Sequence, residues 1–419
     1  MGFQQGLSGL NASALNLDVI GNNIANANTY GSKDSRAEFA DVYANALGGT
    51  SNAIGLGTTL STVAQQFTQG NITTTNNPLD IAINGAGFFQ VSSSNGAISY
   101  TRNGQFKVDK LGYIVNDQTQ RLLGYPADAT GTVIAGTASP LLMPTAGITP
   151  AVTSKITMEM NLDARSGVTL PAAGPVINFS DPTTYNNATS QTVYDAKGQD
   201  VALTYYFQKT GTDTWNVYVA ANGVPLATSG GNPAPSTTIT FPANGGTPTA
   251  PVGTVALNIP SVTNAAGATS VPISGVALSL TGATQYGSQF GVTALTQDGY
   301  APGQFIGAQI DGNGVISARY SNGQTKPAGQ LELATFRDPQ GLQPMGGNGW
   351  AQSAASGGPV VGVPGSGNLG VLQAGALEES NVDLTSELVN MITAQRSYQA
   401  NAQTIKTQDQ ILQTIVNLR

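Results

Sequence analysis

The sequence predicts a mainly β protein that has an α-helix at each end of the chain. Apolar residues recur at steps of three and four in both terminal segments, which is the spacing of a helical seam. The residues between these segments form short alternating runs bounded by glycine and asparagine, a pattern typical of strands and turns. The 52 glycines and 22 prolines also favour a turn-rich fold. We therefore expect paired, coiled-coil-type terminal helices around a β-rich centre.

The predicted N-terminal helix has an apolar stripe but low intrinsic helix propensity. Its stripe is formed by Leu7, Leu10, Ala14, Leu17, Gly21 and Ile24. Glycine costs up to ~1 kcal/mol relative to alanine in a helix, and asparagine is also unfavourable. A helix of this composition is marginal in isolation. We expect it to form by packing against the C-terminal helix and neighbouring copies of the chain. The alternative is that it docks onto its own domain.

The helical pattern ends in the asparagine-rich stretch "NNIANANTYGSK" (Asn22–Lys33). Asparagine and glycine tolerate left-handed backbone conformations and cap the ends of helices. We expect the helix to end here and a connector to begin. The candidate connector residues are Asn22, Asn23, Asn26, Asn28 and Gly31.

The C-terminal helix is predicted by a longer stripe, which only Gln395 and Asp409 interrupt. Asp383 is in place to cap its N-terminus, and Glu387 lies in the first turn, where a negative charge is favourable. The stripe predicts a packing face formed by Leu384, Leu388, Met391, Tyr398, Ala402, Ile405, Leu412 and Val416.

The chain is predicted to fold as nested parts. We expect a terminal helical domain from residues 1–30 and 377–419, joined by connectors at 31–70 and 363–376. A discontinuous β domain is expected from 71–146 and 286–362, with a second, outer β domain inserted at 147–285. Hairpin turns are predicted at Asn84-Gly85, Asn103-Gly104, Leu111-Gly112, Asp311-Gly312 and Asn322-Gly323.

The predicted insert is poor in charge, with no Asp, Glu, Lys or Arg between Thr214 and Gln297. Such a stretch is compatible with a linker, but its regular apolar doublets favour a β domain with long loops. The segment "VYDAKGQDVALTYYFQKTGTDTWNVYVA" begins before this charge-free stretch and ends within it, and its alternating residues predict a β-meander. Trp215 and either Tyr205 or Tyr206 are its expected core residues.

The composition argues against most enzymatic and nucleic-acid-binding functions. Cysteine and histidine are absent, which removes disulfides, imidazole ligands and any triad with a histidine base. The net charge is −7, and charged residues make up only 9% of the chain, whereas nucleic-acid binding needs basic stripes. We expect no catalytic site, cofactor, metal or membrane insertion, and export without a cleaved signal peptide.

Two motifs resemble known sites but are better explained as turns. Gly85-Ala86-Gly87 lacks the third glycine and the following helix of a dinucleotide-binding loop. "DGNG" (Asp311–Gly314) resembles the start of a calcium loop, but no glutamate follows at the twelfth position. We therefore expect turns at both places.

Both ends of the chain resemble the flagellar rod and hook axial proteins of bacteria, and the hook branch in particular. "LNASALNLDVIGNNIANANTYGSK" (Leu10–Lys33) is similar to their N-terminal segment, and residues Leu377–Arg419 are similar to their C-terminal helix. "PLDIAINGAGFFQV", "TRNGQFKVDKLGYIVN" and "GQLELATFRDPQGLQPMGGNGW" resemble the β segments of that family. The length of the insert favours the hook proteins over the shorter distal-rod proteins.

The resemblance implies a structural subunit that self-assembles into a flexible tube between motor and filament. Its terminal helices would form the inner tube, the discontinuous β domain the middle layer and the insert the outer layer. The implied partners are copies of the chain, the distal rod protein, the hook cap, the hook–filament junction proteins and the flagellar type III export apparatus. The implied location is the extracellular hook.

"FADVY" (Phe39–Tyr43) resembles the export-gate recognition segment of early flagellar substrates. The alternative is that Phe39 and Tyr43 pack four residues apart on a short helix. Three other functions stay open for the whole chain. They are a distal-rod component, a surface adhesin or glycan-binding β protein, and an enzyme that acts on the cell wall.

Overall fold

The computed structural model describes residues 2–42, 55–128, 130–169, 177–264 and 266–417. The chain forms two compact units. The first unit consists of Met1–Thr145, Ile306–Arg319 and Thr325–Arg419, and the second of Ala146–Phe305 and Tyr320–Gln324.

The first unit contains both α-helices. Helix α1 spans Gly2–Asn26, and helix α2 spans Leu384–Asn417. Asp383 caps α2 as predicted, because its carboxylate accepts hydrogen bonds from the backbone N–H groups of Thr385 and Ser386. No helix in the described part of the chain is long and apolar enough to cross a membrane.

A large sheet and several two-stranded pairs form the rest of the first unit. Its strands are β1 (Ser35–Val42), β2 (Gly57–Gln65), β3 (Ile72–Thr74), β4 (Ile81–Asn84), β5 (Phe88–Ser92), β6 (Ile98–Thr101), β7 (Lys107–Val108), β8 (Ile114–Val115), β9 (Arg121–Pro126) and β10 (Ser139–Pro140), and, after the second unit, β22 (Phe305–Ile310), β23 (Val315–Tyr320), β24 (Thr325–Leu331), β25 (Leu333–Thr335), β26 (Gln343–Gly346), β27 (Gly349–Ala351), β28 (Val360–Gly362), β29 (Val371–Ala374) and β30 (Ala376–Glu378).

The first unit joins segments that are distant in sequence. Strands β22, β23, β24, β9, β5, β6, β27 and β26 follow one another across its sheet. Strand β4 pairs with β29, and β3 pairs with β30, both antiparallel. The two halves of the chain therefore share hydrogen-bonded strands on either side of the long insert, as expected for a discontinuous domain.

Strands β1 and β2 form a separate antiparallel ribbon that packs along α1. Ser35 pairs with Gln65 at one end and Val42 with Gly57 at the other. The ribbon is attached to the helix by the Gln5 side chain, which donates to Gly55 O at 2.7 Å, and by Ser8 Oγ, which accepts from Thr58 N at 3.3 Å. Because an isolated two-stranded ribbon is unstable in water, we infer that α1 supports it.

The core of the first unit contains an aromatic cluster. Phe88 contacts Phe67, Phe336 and Trp350 edge-to-face, with ring centroids 5.4 to 6.0 Å apart. Tyr100 packs against Phe336 in the same way at 4.7 Å. Edge-to-face pairs add stabilisation beyond the area that they bury.

Three of the five predicted hairpins are present. The turns at Leu111-Gly112, Asp311-Gly312 and Asn322-Gly323 connect paired strands. The predictions at Asn84-Gly85 and Asn103-Gly104 are wrong. Asn84 ends β4, which pairs with β29, whereas the next strand, β5, pairs with β6, β9 and β25. At Asn84-Gly85, β4 therefore pairs with a strand that is distant in sequence and does not form the local hairpin.

The second unit contains two sheets and a short ribbon. Its strands are β11 (Lys155–Asp163), β12 (Asn187–Tyr194), β13 (Asp200–Gly211), β14 (Thr214–Ala221), β15 (Val224–Pro225), β16 (Thr228–Ser229), β17 (Asn232–Pro233), β18 (Thr237–Thr240), β19 (Thr254–Ile259), β20 (Ile273–Tyr286) and β21 (Gly291–Gln297). One sheet has the order β19, β20, β11 and β21, and the other joins β12, β13, β14 and β15, with β18 beside β14.

The predicted meander and its core residues are confirmed. Strands β12, β13 and β14 pair in succession, and Trp215 and Tyr205 are fully buried. Tyr206 instead lies at the periphery, where it stacks on Phe179 with ring centroids 4.4 Å apart. The core is continuous across both sheets and includes Met158, Leu203, Val217, Leu278 and Leu280.

The second unit extends further than the predicted insert. Strand β21 pairs with β11, so the unit continues beyond residue 285 to Phe305. The unit begins at Ala146. The further division of the first unit into helical domain, connectors and β domain stays a prediction.

Candidate assembly interface of the terminal helices

Helices α1 and α2 approach each other closely at two glycines of α1. A Cβ atom at Gly6 would lie 3.1 Å from Ile405 Cγ1, and one at Gly9 would lie 2.9 Å from the Asn401 side-chain amide. Glycine at these positions therefore lets the helices approach closely. Ile20 and Ala394 are the buried apolar side chains within the described parts of the two helices.

A groove of about 570 Å³ runs between α1, α2 and the β1–β2 ribbon. Its lining is dominated by small and polar side chains, including Ser13, Asn16, Ser397 and Asn401, with Phe39 and Ile20 as larger apolar members. The helix pair of a single chain is therefore incompletely packed compared with the interior of a domain.

A hydrogen-bond network fixes the last part of α1 against the start of α2. The buried Asn23 amide donates to Asp34 Oδ1 at 2.6 Å, to Ser35 O at 2.8 Å and to Glu387 Oε2 at 3.3 Å, and its oxygen accepts from Ser35 N. The Asn381 side chain accepts from Asp34 N at 2.7 Å. Burial, together with the nearby Glu387 carboxylate, raises the pKa of Asp34.

The predicted seam residues divide into two groups. Leu10, Ala14, Leu17, Ile24, Met391 and Ile405 are half-buried. The large apolar side chains that the single chain leaves exposed are Leu7, Leu384, Leu388, Tyr398, Leu412 and Val416. The sequence pattern thus located apolar residues of which six of twelve are exposed in the single chain.

Gly6, Gly9 and Asn23, which contact α2, were missed because they are small or polar. Together with Ser13 and Ile20, which line the groove, they recur at steps of three, four and seven and lie along one helix face. Small and polar residues at helical spacing were the available signal. The apolar stripe on which the prediction rested lies on a neighbouring face.

The connector candidates have different environments. Asn22 and Asn26 belong to the last turns of α1, where Asn26 Nδ2 donates to Asn22 O at 2.9 Å. Asn28 is exposed, in the turn that follows the helix. Gly31 has a φ of 70°, and its N–H donates to Glu378 O at 2.8 Å. This positive φ in a buried segment favours glycine, as predicted for a turn out of the helix.

Phe39 lies in β1, so the alternative in which it packs on a short helix is wrong. Its side chain is among the exposed large apolar side chains of the chain, and it borders the groove. Tyr43 lies outside the described residues.

Family models match most of the chain. The model of the flagellar basal body rod proteins matches residues 3–33, and that of the C-terminal region of the basal body rod FlgEFG proteins matches 373–418. The FlgE/F/G D1 domain of flagellar hook proteins matches 82–177, and the FlaE D2 domain of flagellar basal body proteins matches 161–300. These matches define an axial protein of the flagellar rod and hook.

Full-length relatives narrow this class. The chain is 43% identical to the flagellar hook protein FlgE of Salmonella typhimurium over 420 residues, and 42% identical to that of Escherichia coli, with complete coverage of both proteins. It is 33% identical to the hook protein of Rhizobium meliloti over 425 residues, covering 100% of the chain and 98% of the relative. The chain therefore belongs to the flagellar hook protein family and is a structural subunit of the hook.

A solved structure shows the same fold. The crystal structure of the Helicobacter pylori flagellar hook protein FlgE2 matches with a TM-score of 0.53 at 15% identity. The match covers 73% of this chain and all of that one.

Proposed function

We propose that this chain polymerises through its terminal helices into a flexible tube that transmits motor torque from the rod to the filament. The proposal rests on one observation above all. Large apolar side chains on α1 and α2 are exposed, while Gly6 and Gly9 of α1 make close approaches to α2. A subunit in a helical polymer can bury such side chains against its neighbours by head-to-tail contacts.

The proposed assembly residues are those of the two apolar stripes. Fully burying a leucine side chain contributes about 1.5–3 kcal/mol, so even a few such contacts per subunit favour the polymer strongly. The set comprises Leu7, Leu10, Ala14, Leu17, Ile24, Leu384, Leu388, Met391, Tyr398, Ile405, Leu412 and Val416.

In the proposed tube, residues 1–30 and 377–419 form the inner layer, and the β domains lie outside them. Bending requires outer contacts that shift at low energetic cost. The segment between Thr214 and Gln297 lacks charged residues, so its contacts carry no long-range electrostatic preference for one register. Glutamate substitutions at exposed positions such as Val252 should stiffen the hook, and unchanged bending would contradict this role.

We assign the connector role to Asn28 and Gly31, which follow α1, and to Asn22, Asn23 and Asn26, which form its last turns before the β strands. A proline at Asn26 removes a backbone donor and restricts the preceding residue. Asn26→Pro should therefore disturb assembly or bending. Normal hooks and normal swimming would contradict the assignment.

The proposed partners are the distal rod protein, the hook cap, the hook–filament junction proteins and the flagellar type III export apparatus. Phe39 and Tyr43 are the candidates for recognition by the export gate. Deleting Phe39–Tyr43 should abolish secretion while cytoplasmic protein persists. Normal secretion would exclude this role.

A distal-rod role is the nearest alternative. Electron microscopy of basal bodies from a deletion strain separates the two: a complete rod without a hook supports the proposal, and a truncated rod supports the alternative. An adhesin or an enzyme that acts on the cell wall is less well supported, because neither explains the apolar stripes of the terminal helices.

The decisive experiment is polymerisation of the purified full-length chain, with a chain that lacks residues 1–30 as its control. We expect curved tubes from the full-length chain and folded monomers from the truncated one. Tubes from both chains would exclude the proposed role of α1, and tubes from neither would contradict self-assembly.

A further inference from the structure

Three charged side chains from distant parts of the sequence meet inside the first unit. Lys33 Nζ lies 2.6 Å from Glu378 Oε1, and Arg102 Nη1 lies 3.1 Å from Glu378 Oε2. The Lys33 and Glu378 side chains are fully buried, and Arg102 is 4% exposed. Buried charges are costly unless they are paired. Lys33, Arg102 and Glu378, which we call the charge cluster, therefore depend on one another for a favourable buried state.

The charge cluster also binds the backbone of three neighbouring segments. Lys33 Nζ donates to Thr68 O at 2.8 Å, and Arg102 Nη2 donates to Gly85 O at 2.9 Å. Glu378 accepts at Oε1 from Gly70 N at 2.9 Å, and its backbone oxygen accepts from Gly31 N at 2.8 Å. Glu378 takes part in two of these bonds directly, and its ion pairs with Lys33 and Arg102 connect it to the other two.

The charge cluster lies where the chain passes between the helices and the strands. Lys33 follows α1 and precedes β1, while Glu378 is the last residue of β30 and pairs with Ile72 of β3. Only residues 379–383 separate Glu378 from α2. The cluster therefore ties both routes to the terminal helices to one point of the β structure.

The charges in the cluster do not balance. Two cations share one carboxylate, and the Arg102 guanidinium also packs over the Phe88 ring at 5.3 Å from its centroid. Burial lowers the pKa of both Lys33 and Arg102, while Glu378 opposes this shift. Removing the carboxylate would leave two buried cations unpaired, whereas removing Lys33 would leave a one-to-one pair.

We propose that Glu378 is a positioning residue that fixes the direction in which both terminal helices leave the β strands. This direction in turn sets the shape of the polymer. This inference rests on the proposed self-assembly. A buried ion cluster is weak evidence for stability, but it can select one arrangement among several that pack equally well. Glu378 satisfies the geometric requirement because its side chain bonds to Lys33, Gly70 and Arg102, which precede β1, β3 and β7.

The first test compares monomers and does not depend on polymerisation. Glu378→Gln, Lys33→Met and the double variant are examined by hydrogen exchange at the amides of Gly31 and Gly70. We expect exchange at Gly70 to accelerate at least tenfold in Glu378→Gln, with a smaller change in Lys33→Met and a partial return in the double variant. Equal effects of the two single variants, or no return in the double variant, would overturn the assignment of Glu378 as the shared anion.

The second test measures hook shape by electron microscopy. Its control is Leu122→Ala, or the milder Leu122→Val, chosen to match the Tm of Glu378→Gln. Leu122 is fully buried in the same unit and is not bonded to the cluster. We expect altered hook curvature in Glu378→Gln and wild-type curvature in the control. Wild-type curvature in both, or the same change in both, would show that Glu378 acts on stability alone. Failure of the wild-type chain to polymerise would contradict self-assembly instead, and the exchange experiment would still test Glu378.

Discussion

The terminal helices and the β core of the second unit bury apolar side chains to very different extents. The second unit surrounds Trp215, Tyr205 and Leu278 completely within one chain. The helices bury Ile20 and Ala394 in their described parts and leave Leu7, Leu388 and Val416 exposed. The second unit is therefore complete as a monomer, whereas the proposed assembly would complete the apolar packing of the helices.

This difference shows how one chain can fold and yet be prepared to assemble. A core that is closed within the monomer supplies the free energy of folding without any partner. Exposed apolar side chains on a stable scaffold supply free energy only when a second copy covers them. The same type of residue thus has two roles, which depend on whether its neighbours come from its own chain.

Replacing a leucine by alanine should reduce the free energy of unfolding far more in the β core of the second unit than on α2. Leu278→Ala should destabilise the chain by about 2–5 kcal/mol, because it leaves a cavity in a closed core. Leu388→Ala should change the stability of the monomer by less than about 0.5 kcal/mol, as is usual for an exposed site. Urea denaturation followed by circular dichroism measures both. Similar losses would remove the distinction between the two regions.

The exposed leucine of α2 should matter for polymerisation, although it contributes little to the stability of the monomer. Leu388→Ala should raise the critical concentration for polymerisation by about tenfold or more, since a buried leucine contributes about 1.5–3 kcal/mol. Leu111→Ala, at an exposed position of the β7–β8 hairpin, is the matched control and should change it little. Sedimentation of polymer at graded protein concentrations gives both values. Equal shifts would mean that α2 has no special part in assembly.

A smaller effect is expected at the contact between the helices. Gly9→Leu should destabilise the α1–α2 pair by about 1–3 kcal/mol, because its side chain would meet Asn401. Gly21→Leu should be neutral or stabilising, since no atom lies within 4 Å of a Cβ at Gly21 and glycine is a poor helix former. Thermal melting, followed by the helical circular dichroism signal at 222 nm, distinguishes the two variants by their Tm. Equal melting would show that the close approach at Gly9 is unimportant.

The smallest effect concerns the carboxylate of Asp34 beside Glu387. Its pKa is raised in the folded chain, so between its ordinary value of 3.8 and the raised pKa the folded state holds more protons than the unfolded state. Stability should therefore fall as the pH rises through this window and be regained as the pH is lowered. Asp34→Asn should stabilise the chain at neutral pH by a fraction of a kcal/mol, because Asp34 is partly exposed.

The measurement is the pH dependence of unfolding in wild type and Asp34→Asn. The difference in the free energy of unfolding between the two proteins should shrink as the pH approaches 3.8 from above. A difference that grows toward low pH would mean that the carboxylate stabilises the fold, and would contradict the proposed effect of Glu387.

Local sequence patterns predicted the elements whose causes are local. The spacing of Leu384, Leu388 and Met391 predicted α2, and Asp383 predicted its start. The meander around Trp215 was predicted from alternating residues. In each case, the hydrogen bonds that define the element join residues close in sequence.

Features that depend on distant pairs could not be predicted in this way. Asn84-Gly85 has the residues of a hairpin turn, but β4 pairs with β29 near the C-terminus. The charge cluster joins Lys33, Arg102 and Glu378, whose sequence neighbours give no indication of their meeting. The helix contact at Gly6 and Gly9 was missed because the predicted stripe, Leu7 to Ile24, lies on a neighbouring face of α1.

The central claim is that the exposed stripe of α2 becomes buried when copies assemble, and thiol labelling tests it most directly. Because the chain contains no cysteine, a single introduced cysteine is a unique probe. Leu388→Cys should react rapidly with a maleimide in the monomer and at least tenfold more slowly in assembled hooks. Val252→Cys, at a position that is 92% exposed in the second unit, is the reference for general access to reagent. Equal labelling of Leu388→Cys in monomer and hook would contradict the account.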